Sequence, residues 1–168
     1  MNPPMSAVLE KIKNRFGEGV LGTHSDFGDD TAVVRREILA DLAKYLKGDP
    51  ELAFNVLMDL TAVDGLRMGK QPRFEVVYHF YSLTKNGRVR IKVPVGEEDP
   101  KVATLTGLWP IADWFEREVW DMFGVRFTGH PDLRRILTWE AFEAHPLRKD
   151  YPLRGRGERE DFERITRE

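Results

Sequence analysis

Glu118 and His130 are the two residues of this chain whose types and spacing could form an acid/base pair. They sit in the run from Glu116 to Leu137, which packs acids, arginines, a histidine, aromatics and turn residues into 22 positions. A carboxyl on an apolar helix face has its pKa raised by burial, and a general acid working near neutral pH uses that shift. No nucleophile accompanies Glu118, however, and structural ion pairs perturb pKa values as well. The simpler expectation is a structural pair. Glu118 binds Arg134, Arg135, Arg148 or Lys149 and pins the following segment onto its own helix.

Other chemistries find no residues. Cysteine is absent, which excludes disulfides, cysteine-ligated zinc and a cysteine-ligated iron–sulfur cluster. His24, His79, His130 and His145 are scattered, with no HExxH and no helical His-x-x-x-His pair, so no metal site is expected. No P-loop, GxSxG elbow or Ser/His/Asp grouping occurs. Gly17, Gly19 and Gly22 do spell GxGxxG, the pattern of a flavin- or nucleotide-binding loop. They follow a helix and precede a polar turn, whereas a dinucleotide loop follows a strand and opens a helix. Gly17 reads as a helix C-cap instead.

The chain has 168 residues, enough for one domain with its own core. Its 26 basic and 28 acidic residues nearly cancel, giving a net charge of −2 and no reason to expect nucleic acid. No apolar run approaches the ~18 residues of a membrane span, and Met1 to Met5 has no signal-peptide core, so the protein is expected to stay where it is made.

The elements that position the charged run follow from hydrophobic period. Leu108 to Phe123 reads as one amphipathic helix ended by Gly124, with Ile111, Ala112, Trp114, Phe115, Val119, Met122 and Phe123 on its apolar face. Glu118 falls inside that stripe, and Trp120 falls among the charges, where an aromatic suits a partner protein. Ala7 to Phe16, with Ser6 as N-cap, and Arg36 to Leu46 are two further helices. Thr31 to Val34 and Ala53 to Val63 are strands. Arg73 to Ser82 and Arg88 to Val95 form a hairpin around Asn86-Gly87. Val89, Ile91, Val93 and Val95 alternate with Arg88, Arg90 and Lys92, one buried face and one solvated basic face. The resulting fold class is α+β: two layers, a mainly antiparallel sheet with helices on one face. Residues 1–145 form this single domain. Residues 146–168 form an extended, highly charged arm, stiffened between Pro146 and Pro152, that orders against another subunit or frays.

The motifs themselves resemble a known family. Glu116-Arg117-Glu118, Asp121-Met122-Phe123-Gly124 and Gly129-His130-Pro131-Asp132-Leu133-Arg134-Arg135-Ile136-Leu137 look like the signature of the 30 kDa subunit of respiratory complex I, the bacterial NADH–quinone oxidoreductase. His145 to Pro152 resembles a second hallmark, and Leu60 to Asp64 and Phe74 to Tyr81 resemble core strands; the likeness covers roughly residues 5–153. It implies a peripheral-arm subunit on the cytoplasmic side of the bacterial inner membrane, packed against the 49 kDa subunit. The complex passes electrons from NADH through FMN and Fe–S centres, held in other subunits, to quinone with proton translocation. This chain would bind no cofactor and hold no active site. Its partner-facing signature residues would be Glu116, Arg117, Glu118, Trp120, Asp121, Phe123, Gly124, His130, Asp132, Arg134, Arg135, Arg148, Lys149, Asp150 and Tyr151. Alanine at Arg134 and Arg135 together is expected to leave the fold intact and weaken assembly. The alternatives are a homologous subunit of an energy-converting hydrogenase or formate hydrogenlyase, and an independent enzyme using Glu118 and His130.

Overall fold

The structure, a computed structural model, describes residues 6–158. Its first element, α1 (Ala7–Phe16), begins where the Ser6 hydroxyl accepts a hydrogen bond from the Leu9 N–H. It ends at Gly17, whose φ of +48° is a glycine's backbone and whose N–H is bonded to the Lys13 carbonyl. A short 3-10 turn then leads straight into a strand, so the glycine pattern at Gly17 to Gly22 has the context of a helix exit.

That strand, β1 (Val20–Asp26), was not legible as one, because most of its residues are only half buried and its composition is polar. It pairs antiparallel with β2 (Asp29–Val34) across Phe27 and Gly28, both at positive φ, the backbone of a tight two-residue hairpin. The hairpin expected at Asn86-Gly87 is built otherwise. There β4 (Phe74–Ser82) and β5 (Gly87–Val95) join through Leu83 to Asn86, and Gly87 already pairs with Ser82. Asn86 takes the positive φ, and the Tyr81 hydroxyl donates to its side-chain oxygen at 2.6 Å.

The five strands run in the order β1-β2-β5-β4-β3, with β3 spanning Val56–Asp64. All neighbours are antiparallel except β2 and β5, which run parallel with Thr31 opposite Arg90. A second, two-stranded parallel sheet, β6 (Lys101–Ala103) with β7 (Arg126–Thr128), joins the segments on either side of the third helix. The second helix, α2 (Leu39–Gly48), is entered through a 3-10 turn at Arg36–Ile38.

Helices and main sheet meet in one core. Phe74, Val76, Tyr78 and Phe80 of β4 and the alternating valines and Ile91 of β5 cluster with Leu9 and Ile12 of α1, with Leu39, Leu42, Ala43 and Leu46 of α2, and with α3 (Ala112–Phe123). The opposite face carries the basic row. Arg90 pairs with Asp29 at 3.1 Å and Lys92 with Glu75 at 3.2 Å, while the Arg88 guanidinium lies 5.8 Å from the Tyr81 ring. Among the described residues no helix is long and apolar enough to cross a membrane.

A candidate partner interface around the third helix

The roll of α3 decides which of its acids are inside. The buried line is Ala112, Glu116, Val119 and Phe123, while Ile111 and Trp114 face outward. The helix is therefore turned by roughly 60° from the stripe expected from hydrophobicity alone. Glu118 is consequently exposed, and neither Arg134, Arg135, Arg148 nor Lys149 binds it. Trp120 is half buried, with the Arg135 guanidinium 5.5 Å from its ring, and the outward-facing tryptophan is Trp114. Glu116 and Asp121 are the buried carboxylates of α3. Polar partners outside the helix fixed this roll, and a helical wheel contains none of them.

Asp121 organises the signature loop. Its carboxylate accepts from the Arg135 guanidinium at 2.6 Å, from the Thr138 hydroxyl at 2.5 Å, and from the backbone N–H groups of Ile136, Leu137 and Thr138 at 3.1, 2.8 and 2.9 Å. Burial alone would raise this carboxyl, but the donors from Thr138, Leu137 and Ile136 outweigh it and hold it at about 2. From the neighbouring turn, Arg117 donates to the carbonyls of Arg134 and Arg135 at 3.1 and 3.0 Å. The loop is fixed through its backbone by an acid and a base of one helix.

Glu116 does the same on the other flank. It is wholly buried and accepts from the Leu105 N–H at 2.7 Å and the Thr104 hydroxyl at 2.6 Å, fastening the exit of β6. No cation reaches it among the described residues, and burial pushes its carboxyl up from 4.5 to about 7.

The base of the arm is locked by a third group. Arg73 grips Asp64 through Nε at 3.0 Å and Nη2 at 2.7 Å, and reaches Asp150 at 2.8 Å and Glu97 at 2.6 Å. Asp64 also accepts from the Leu66 and Lys149 N–H groups, at 2.9 and 2.8 Å. Burial would raise Asp64, yet the bonds from Arg73, Lys149 and Leu66 hold it at about 2. Arg148 donates to the Phe123 carbonyl at 2.6 Å, and the Leu147 N–H to the Met122 carbonyl at 3.1 Å. Gly124 ends α3 at φ +77°, and a Cβ there would lie 2.5 Å from Arg148 Nη2 and 2.7 Å from the His145 ring.

The remaining signature residues divide. His130 has a buried ring, accepts from the Asp132 N–H at 3.0 Å and lies 3.3 Å from the Asp113 carbonyl. Asp113 and Glu118 are ~140° apart around the helix, and no bond joins His130 to Glu118, so the structure does not assemble the acid/base pair. Phe123 is buried, Arg134 is exposed and pairs with Asp132 at 2.9 Å, Lys149 is exposed, and the Tyr151 hydroxyl donates to Glu158 at 2.7 Å. Arg135 and Arg148 are partly buried and bonded within the chain, and Asp150 is bonded to Arg73 while half of its side chain stays exposed. Residues 159–168 of the expected arm lie outside the described residues. Among the described residues no group of His, Cys, Asp or Glu converges to hold a metal ion. Sequence reading missed Arg73, whose partners stand 9, 24 and 77 positions away, and Thr104 and Thr138.

Comparison with known proteins bears on this arrangement. Residues 32–157 match the family described as respiratory-chain NADH dehydrogenase, 30 Kd subunit. An NADH-quinone oxidoreductase subunit of Roseiflexus sp. (strain RS-1) is 51% identical over 148 residues, 88% of this chain and 84% of the relative. The like-named subunit of Geotalea uraniireducens (strain Rf4) is 46% identical over 145 residues, 86% of each chain. The solved trypsin-resistant fragment (1-134) of Nqo5 superposes with a TM-score of 0.67 at 33% identity, covering 75% of this chain and 98% of the fragment. A chain of the membrane-bound sulfane sulfur reductase, an archaeal respiratory membrane complex, superposes at 0.70 with 21% identity over 87% of this chain and 84% of its own, a likeness of fold alone.

Proposed function

Because the chain belongs to the 30 kDa subunit family of respiratory-chain NADH dehydrogenase, we propose that it serves NADH–quinone oxidoreductase as a scaffold with no active site of its own. It is a subunit of the NADH-quinone oxidoreductase kind, and so part of a membrane-associated respiratory assembly. The assembly carries electrons from NADH through FMN and Fe–S centres in other subunits to a quinone, coupled to proton translocation. This chain sits on the cytoplasmic side of the bacterial inner membrane and packs against the 49 kDa subunit.

One observation supports the scaffold role above all. Ionisable groups at the centre of the signature and at the arm base are spent on holding the chain's own backbone: Asp121 on residues 136–138, Arg117 on the carbonyls of Arg134 and Arg135, and Asp64, upstream of the signature, on the N–H groups of Leu66 and Lys149. Groups saturated in this way are not available to exchange protons with a substrate. They give the loop and the arm base a fixed shape, on which Asp132, Arg134 and Lys149 stay exposed to meet the neighbour.

The test is affinity purification of the tagged full chain from its native membrane. The expected result is co-purification of the 49 kDa subunit and an NADH-oxidising flavoprotein, with quinone reductase activity in the complex and none in the chain alone. A nickel-binding large subunit in their place would favour the energy-converting hydrogenase or formate hydrogenlyase alternative. Turnover by the purified chain, abolished in Glu118→Gln, would overturn the scaffold reading.

A further inference from the structure

The turn between β4 and β5 holds a reactive pair that neither the core nor the signature uses. Asn86 is exposed at φ +49°, in the left-handed region that Asn and Asp tolerate better than other residues with a Cβ. Its side-chain oxygen accepts from the Tyr81 hydroxyl at 2.6 Å, and its amide nitrogen bonds to no described residue. Gly87 follows it. The Asn86 side-chain carbonyl and the Gly87 backbone nitrogen lie one residue step apart, so a reaction between them is unimolecular.

Two things block such a reaction, a bulky following side chain and a following N–H locked in a ladder. Gly87 is poorly protected by either. A Cβ built on it would meet no atom within 4 Å. It forms the last pair of the β4–β5 ladder, with Ser82, where fraying begins. The first half of the turn is pinned, because the Leu83 N–H donates to Asn55 Oδ1 at 3.2 Å and the Lys85 N–H to Ser82 Oγ at 3.3 Å. The second half rests on the Tyr81 bond and the terminal pair.

The chain's other candidates are closed off. Asn2 precedes Pro3, which has no N–H to give up. Asn14 lies inside α1, whose hydrogen-bond ladder holds the backbone. Asn55 is followed by β-branched Val56, and its Oδ1 is occupied by Leu83. Asp64-Gly65 is the other pair of this type. There Asp64 is buried and gripped by Arg73, and a Cβ on Gly65 would lie 2.6 Å from Lys70 Cβ.

We propose that Asn86-Gly87 is a site of spontaneous, non-enzymatic deamidation that marks the hairpin tip as the chain ages. When the terminal pair opens, the Gly87 nitrogen attacks Asn86 Cγ and a new N–C bond forms. The Cγ–Nδ2 bond breaks, and the amide nitrogen leaves as ammonia with the proton that Gly87 gave up. The product is a succinimide ring. Water then adds to one of its two carbonyls and breaks that carbonyl's bond to nitrogen. Opening at Cγ gives aspartate, and opening at the main-chain carbonyl gives isoaspartate, with one extra carbon in the backbone path. Nothing is oxidised or reduced; asparagine and water become an acid and ammonia. Loss of ammonia makes the step one-way.

The two products fit the turn differently. Aspartate keeps an acceptor for the Tyr81 hydroxyl and adds one negative charge to the chain's −2. Isoaspartate lengthens the turn beside Gly87 and displaces the Ser82–Gly87 pair.

The test is peptide mapping by mass spectrometry of the tagged full chain, purified with whatever assembles on it and held at neutral pH. The Asn86 peptide gains the mass of an amide-to-acid conversion about tenfold or more faster than the Asn14 and Asn55 peptides. An isoaspartyl methyltransferase labels it. Gly87→Ala, which meets no atom and needs no positive φ, keeps the fold and loses the isoaspartate. Isoaspartate at position 86 of the wild-type chain identifies the succinimide independently of that variant. Conversion of Asn86 no faster than that of Asn14 and Asn55 overturns the proposal. So does aspartate without isoaspartate, or an undiminished isoaspartate yield in Gly87→Ala.

Discussion

Arg73 and Asp64 meet as a bidentate pair, buried, with Nε and Nη2 donating to the two carboxylate oxygens at 3.0 and 2.7 Å. The same guanidinium holds Asp150, so one arginine joins the end of β3 to the base of the arm. Removing one member of a buried pair strands the other charge, which costs about 3–5 kcal/mol. Arg73→Ala should lose stability on that scale in urea unfolding. Adding Asp64→Ala to it should recover part of the loss, because the stranded carboxylate is gone. A double variant as unstable as the sum of the two single ones would deny the coupling.

Arg134 and Arg135 are neighbours with opposite duties: Arg134 pairs with exposed Asp132 and Arg135 with buried Asp121, so the expectation that alanine at both leaves the fold intact and weakens assembly divides between them. Arg135→Ala breaks the 2.6 Å bond to buried Asp121 and should cost roughly 2–3 kcal/mol while exposing the loop to trypsin at Arg134. Arg134→Ala, at an exposed position, should unfold like the wild type and weaken assembly with the 49 kDa subunit. Urea titration, limited proteolysis and pull-down together separate the two. Equal stability of the two variants would contradict the assignment.

The Asp121 carboxyl is held at about 2 against an ordinary value of 3.8, so its contribution is complete above pH 3.8 and is lost as pH falls toward 2. Glu116 behaves oppositely. Its carboxyl is raised from 4.5 to about 7, so the stability linked to it is complete below pH 4.5 and disappears as pH rises through 7. The change is on the order of 3 kcal/mol for a fully buried group. Glu116→Gln should flatten the decline in thermal stability between pH 5 and pH 8. A variant with the wild-type slope would show that Glu116 is not its source.

Gly124 tests how closely the arm base approaches α3. At φ +77°, with Arg148 Nη2 and the His145 ring under 3 Å from a built Cβ, Gly124→Ala combines backbone strain with a steric clash. A loss of about 2 kcal/mol or more in thermal or denaturant unfolding is expected. Gly22→Ala, with no atom within 4 Å, serves as the mild control. If the two losses are equal, the arm base does not pack on Gly124 as described.

The sequence by itself determined the elements whose evidence is local. Ser6, the apolar spacing after it and Gly17 set α1 to its ends, and the alternation from Val89 to Val95 set the buried face of β5. It also determined the family likeness, because the charged run from Glu116 to Leu137 is distinctive as a string. Strand β1 escaped because a polar edge strand has no strong period, and the two-residue turn at Phe27-Gly28 carries no Asn-Gly or Asp-Gly mark.

Only the tertiary structure decided which acids of α3 lie inside. By hydrophobic spacing, Glu118 belonged to the buried stripe. The fold instead buries Glu116 and Asp121, whose hydrogen-bond donors come from Thr104 and Leu105 on one side and residues 135–138 on the other. A carboxylate can be buried wherever donors from other segments converge, and that convergence is set by the three-dimensional path of the chain. Hydrophobic period reports the side chains of one helix, and the roll of α3 was fixed by the groups that met it.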